Sequence, residues 1–93
     1  MLEATITIAD PVGLHARPAA VLVRTVGQYQ ARVHLAHGSK RADARSIIQL
    51  LALGVRPGSP VTVTAEGLDE AEALAAVLDV LAVAGEPEDK SRG

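Results

Sequence analysis

Val61-Thr62-Val63-Thr64-Ala65-Glu66 alternates apolar and polar residues without a break. Successive side chains of a strand point to opposite faces. Val61, Val63 and Ala65 therefore share one face, and Thr62, Thr64 and Glu66 the other. A strand with only one apolar face belongs to an antiparallel sheet covered by helices on that face, since strands of parallel sheets read as continuous apolar runs. Upstream, Pro57-Gly58-Ser59-Pro60 forces a loop, and downstream Gly67 ends the strand. Beyond it, Asp69-x-x-Glu72 has the spacing of a capping box. Ala71, Leu74, Ala75, Leu78, Leu81 and Ala82 then read as the apolar stripe of a helix.

The same reading extends toward the N-terminus. Leu2, Ala4, Ile6 and Ile8 alternate with Glu3, Thr5 and Thr7, which predicts a half-buried strand, broken by Asp10-Pro11-Val12-Gly13. Residues 16–26 predict a helix with Ala19, Leu22, Val23 and Val26 on one stripe and Gly27 at its end. Residues 31–36 alternate again, with Ala31, Val33 and Leu35 inward and Arg32 and His34 outward. A turn over His37-Gly38-Ser39-Lys40 and a short strand over 41–43 complete a hairpin. Ser46 is placed to cap a short helix running to Leu53, stopped by Gly54. The expected fold is α+β: an open-faced sandwich in the order β-α-β-β-α-β-α, its four-stranded, mostly antiparallel sheet covered on one face by three helices.

Composition narrows the function. Of 93 residues 48% are apolar but only 1% aromatic, so the core is aliphatic. Nine Lys and Arg against eleven Asp and Glu leave a net charge of −2, and Tyr29 is the single aromatic residue. A nucleic-acid binder would need a basic face and stacking rings. The absence of cysteine excludes thiolate chemistry and cysteine-ligated zinc. No basic leader and no run of 18 apolar residues occur, so the expectation is a cytoplasmic monomer without membrane insertion. Residues 85–93 are polar and charged and are expected to be disordered.

Gly13-Leu14-His15-Ala16-Arg17-Pro18-Ala19-Ala20 carries the chemistry. It sets a histidine and an arginine at the start of a helix, where unpaired N–H groups and the helix dipole form a seat for an anion such as phosphate. Pro18 is tolerated in the first turn because its missing N–H would have had no partner. Neutral imidazole at that place can attack a phosphoryl group. Arg17 and the N–H groups would then neutralise the transferred charge, with no metal or cofactor. An ordinary capping histidine and a solvated arginine are the plainer reading of the same residues. His34 and His37 lie three apart on a strand-to-turn segment and point to opposite faces, so they make no metal pair. The helix after Ser46 is apolar on more than one face, so some of Ile47, Ile48 and Leu51 are expected to be exposed as a docking patch, unless all are core.

The His15 segment resembles the active-site signature of HPr, the histidine-containing phosphocarrier of the phosphoenolpyruvate-dependent sugar phosphotransferase system. Ala44-Arg45-Ser46-Ile47-Ile48-Gln49-Leu50-Leu51-Ala52-Leu53-Gly54 is similar to that family's second signature, and the interval between His15 and Ser46 also matches. The resemblance implies an HPr-like domain over residues 1–84. It implies that His15 accepts phosphate at Nδ1 from phosphorylated enzyme I and passes it to IIA proteins or domains of sugar permeases, with Arg17 stabilising the phosphate. It makes the chain a carrier rather than an enzyme with its own small-molecule substrate. Ala16, Ala20 and Arg24 would complete a partner-binding face with Ile47, Ile48 and Leu51. Ser46 becomes a candidate phosphoserine for an HPr kinase/phosphorylase, although Ile48 and Gln49 stand where kinase-regulated relatives commonly carry Met and Gly. Asp43 and Arg45 are milder departures, standing where relatives commonly carry Asn and Lys. The rivals are a nitrogen-branch paralogue with the same histidine chemistry and a small hydrolase using His15.

Overall fold

Seven elements follow the expected order in a computed structural model that describes residues 1–83: β1 Leu2–Thr7, α1 Ala16–Val26, β2 Arg32–His37, β3 Lys40–Asp43, α2 Ile47–Ala52, β4 Pro60–Glu66 and α3 Glu70–Val83. The expected disorder of 85–93 lies outside these residues. The sheet order is β1-β4-β2-β3 and every pair is antiparallel. β4 is paired on both sides: Val63 stands opposite Ala4 of β1 and Leu35 of β2. Because β1 and β2 both run antiparallel to β4, α1 crosses between two parallel strands with a third inserted between them.

The alternation of each strand selects the covered face. Val61, Val63 and Ala65 of β4, Val33 and Leu35 of β2 and Ala42 of β3 are buried. They lie under Ala19, Leu22 and Val26 of α1, Leu50 of α2, and Ala73, Val77 and Leu81 of α3. The opposite face is polar, with the hydroxyls of Thr5 and Thr62 paired across β1 and β4 at 3.1 Å. Ile8 is buried as its place in the alternation requires, although β1 ends at Thr7; Leu2, at the tip of this edge strand, is exposed.

Two expectations for the last helix are corrected. Ala71, Ala75 and Ala82 are exposed, and the buried line is Ala73, Val77 and Leu81, flanked by half-buried Leu74 and Leu78. Alanines occur on every side of α3, so periodicity alone does not choose a face. Packing against α1, β1 and β4 does. Nor does Asp69 cap the helix with Glu72. Its carboxylate accepts the N–H groups of Gln30 and Ala31 at 2.9 and 2.8 Å, tying the start of α3 to the α1–β2 loop. Glu70 turns back instead and accepts the Gly67 N–H at 3.0 Å. Gly67 has φ +150°, and a Cβ there would lie 2.8 Å from the Ala31 Cα, so only glycine lets the two segments meet.

The Gln30 N–H, followed by that of Ala31, holds the Asp69 carboxyl below its ordinary pKa against the opposing effect of burial. A group depressed in the folded state stabilises above its unfolded pKa and loses that contribution as pH falls through the folded value. The wild-type melting temperature should therefore drop as pH falls below about 5. Asp69→Asn offers one acceptor oxygen to two N–H groups. It should melt lower than wild type at pH 7 and show a shallower decline on acidification, read from melting curves across pH.

Candidate functional site

The loop between β1 and α1 is built by Asp10. Its carbonyl accepts the Gly13 N–H at 2.9 Å and its Oδ1 accepts the Val12 N–H at 2.8 Å, an arrangement aspartate favours in turns. Both ends of the loop are fastened to the segment leading into β4. Ile8 donates to Ser59 and accepts from Gly58, at 3.0 and 2.9 Å, and Leu14 donates to the Val55 carbonyl at 3.1 Å. Gly13 has φ +88° and presses so closely on Val55 that a Cβ would overlap its carbonyl oxygen. With Leu14 and Pro18 buried on either side, His15 is carried to the surface at a fixed height.

His15 is the residue before α1, with extended backbone, and its carbonyl accepts the Ala19 N–H at 3.0 Å. Its imidazole makes no capping bond to the helix. The side chain is 34% exposed, and Nε2 lies 3.3 Å from Oδ2 of Asp10. No hydrogen bond among the described residues engages Nδ1. The N–H groups of Ala16 and Arg17 likewise donate to nothing among these residues, and the first turn of α1 contains no acidic residue. Arg17 is exposed, with no ion pair among the described residues. Ring nitrogen, unpaired N–H groups and guanidinium together suit a doubly charged anion bound covalently at the ring. Asp10, only 6% exposed, was not among the site residues expected from sequence. The Asp-Pro-x-Gly pattern signals the turn, but its reach to His15 depends on how the loop folds back.

The second segment lies beside the first. Leu14 bonded to Val55 sets the start of α1 next to the exit of α2. Arg45, just before α2, donates to the carbonyls of Tyr29 and Ala31 just after α1, at 2.9 and 3.3 Å. The start of α1 thus lies near the exit of α2, and the end of α1 near its entry. Ala16, Ala20 and Arg24 recur every fourth residue along α1; Ala16 and Arg24 are exposed and Ala20 is half-buried. On α2 only Leu50 is buried, while Ile48 is 77%, Leu51 40% and Ile47 36% exposed.

Ser46 caps α2 by accepting the Gln49 N–H at 3.2 Å. The Gln49 side chain in turn accepts the Asp43 N–H, and the Asp43 carboxylate accepts the Arg45 N–H, both at 2.9 Å. Asp43, Arg45 and Gln49, three of the four positions that depart from the resemblance, thus bond within or beside one cap, while the fourth, Ile48, is exposed. Nδ1 of His37 faces the Leu53 carbonyl at 3.2 Å, while His34 stands on the outer face of the sheet. No helix of the described residues is long and apolar enough to cross a membrane.

A family model described as the PTS HPr component phosphorylation site matches residues 2–82. The fold is similar to a crystal structure of HPr-C-His from Thermoanaerobacter tengcongensis, at TM-score 0.88 and 38% identity over 96% of this chain and all of the other. The phosphocarrier protein HPr from Bacillus anthracis superposes at TM-score 0.81 with 31% identity, over 86% of this chain and 95% of its own. The catabolite repression protein Crh of Bacillus subtilis superposes at 0.73 with 32% identity, over 94% of this chain and all of its own. Crh was crystallised as a swapped dimer, so a relative of this fold associates with itself.

Proposed function

The chain belongs to the HPr family of phosphotransferase-system phosphocarriers, and on that premise we propose that His15 is its phosphoryl acceptor, charged at Nδ1 by phosphorylated enzyme I and discharged to IIA proteins or domains of sugar permeases. The observation that carries the reading is the partly exposed imidazole at the head of α1, where neither Nδ1 nor the N–H groups of Ala16 and Arg17 have a partner among the described residues. In the forward step the Nδ1 lone pair forms a bond to phosphorus as the bond to the donor's leaving group breaks. Arg17 and the N–H groups of Ala16 and Arg17 offset the charge on the phosphoryl oxygens during transfer. Pro11, Val12, Ala16 and Arg17 on either side of His15 are exposed, which suits exchange between two proteins better than capture of a small substrate.

Docking is assigned to Ala16, Ala20 and Arg24 of α1 with Ile47, Ile48 and Leu51 of α2. Exposed aliphatic side chains beside Arg17 and Arg24 favour fast, weak association with acidic partner surfaces. Ser46 is the proposed regulatory position, open to a kinase of the HPr kinase/phosphorylase type. A phosphate on its hydroxyl would place about two negative charges next to Ile47 and Ile48 and oppose docking.

Incubation with enzyme I and labelled phosphoenolpyruvate tests the reading. Wild type should gain an acid-labile, alkali-stable phosphate, and His15→Ala should gain none while keeping a cooperative melt, lowered only by loss of the Asp10 contact. In the same assay Arg17→Ala should transfer about 10²–10³-fold more slowly. Label retained by His15→Ala would reject His15 as the acceptor.

Ile48→Asp separates docking from packing. At 77% exposure the change should shift stability by no more than about 0.5 kcal/mol. It should raise the KM for this protein in the enzyme I reaction about tenfold, as expected for a contact worth more than about 1 kcal/mol. A normal melt with an unaltered KM would remove Ile48 from the interface.

A further inference from the structure

We propose that Asp10 is a positioning residue for His15: its buried carboxylate holds the imidazole with the proton on Nε2 and thereby reserves Nδ1 as the nucleophile. The proposal rests on the phosphocarrier reading above and names a residue outside the signature that carries it. Asp10 is the one buried polar or charged residue among those described. Burying a carboxylate is unfavourable unless its oxygens find hydrogen bonds. Oδ1 is satisfied by the Val12 N–H at 2.8 Å, a bond set by the turn itself, which fixes the plane of the group and turns Oδ2 toward Nε2 of His15 at 3.3 Å. An ionised carboxylate can only accept. The ring nitrogen facing it must therefore carry hydrogen, and in the neutral ring the lone pair then lies on Nδ1, the nitrogen with no hydrogen bond among the described residues.

The position of the carboxylate is independent of the helix it serves. The loop is fastened through Ile8 to Gly58 and Ser59 and through Leu14 to Val55, so Asp10 is placed by the lead-in to β4 rather than by α1. During transfer, Nδ1 bonds to phosphorus, the donor leaves with the electron pair of its own bond to phosphorus, and the Nε2 proton stays where it is. The ring becomes cationic, and the Oδ2 contact becomes a charge-assisted hydrogen bond that strengthens as that charge develops. Discharge to the acceptor reverses these changes, so no proton enters or leaves the site in either direction. A carboxylate that orients a reactive histidine through its second nitrogen is an arrangement reached on unrelated folds.

Asp10→Asn tests this, because the asparagine oxygen is held by the Val12 N–H and its amide NH₂ then faces Nε2. A donor there selects the opposite tautomer. ¹⁵N NMR of the His15 ring in the unphosphorylated protein should show the Nε2–H form in wild type and a shift toward Nδ1–H in Asp10→Asn. Transfer from phosphorylated enzyme I should slow about 10–100-fold in kcat, with KM changed less than twofold. Asp10→Ser, whose hydroxyl can still accept from Val12, is the second variant: it should melt like wild type and show a mixed tautomer population. A tautomer unchanged in either folded variant, or a shifted tautomer with unaltered kcat, would overturn the proposal. The NMR measurement needs no phosphate donor. It therefore reads out even if wild type takes phosphate on a residue other than His15, a result that would sink the carrier reading separately.

Discussion

Double pairing of β4 is the constraint on which the molecule depends. It lies between β1 and β2, and its inward residues Val61, Val63 and Ala65 form the floor on which the helices rest. No aromatic side chain is fully buried: the core consists of Leu, Val, Ile and Ala, and Tyr29 only packs against its edge. Small aliphatic groups must therefore fill the interior by close approach of the elements. The contact of Gly67 with Ala31, bridged next door by the Asp69 carboxylate, is one place where that closeness requires a particular residue.

The strand that organises the core also positions the chemistry. Its lead-in, residues 55–59, holds the β1–α1 loop at both ends, and that loop presents His15. His15 is therefore coupled to the sheet through the backbone hydrogen bonds of its loop as well as to its own helix through the Ala19 N–H. The imidazole reaches the surface from a segment anchored on either side, because Leu14 and Pro18 are buried.

Charge is divided between structural and surface uses. Arg45 is committed to the carbonyls of Tyr29 and Ala31, and Asp69 to the N–H groups of Gln30 and Ala31, so one short loop is tied down from both signs of charge. Arg17 and Arg24 on α1 make no such bonds among the described residues. They give a chain of net charge −2 a basic surface beside His15.

Element order, strand faces and the His15–Arg17 pair were legible in the sequence because each is set by neighbours a few residues apart: alternation in strands, a histidine and arginine at a helix start, a serine cap before Ile47. Features that join distant segments were not. The buried face of α3 is not legible locally because alanines surround that helix, and only packing on α1 and the sheet distinguishes Ala73 from Ala71 or Ala75. Asp69 has the spacing of a local cap, yet its partners lie 38 and 39 residues away. On α2 the sequence showed more apolar residues than one face can bury, but tertiary contact alone decides that Leu50 is inside and Ile48 outside. Asp10 was visible as a turn former. Its approach to the ring of His15 comes from the loop being fastened to residues 55–59, a long-range backbone pairing that leaves no local pattern for periodicity or spacing to reveal.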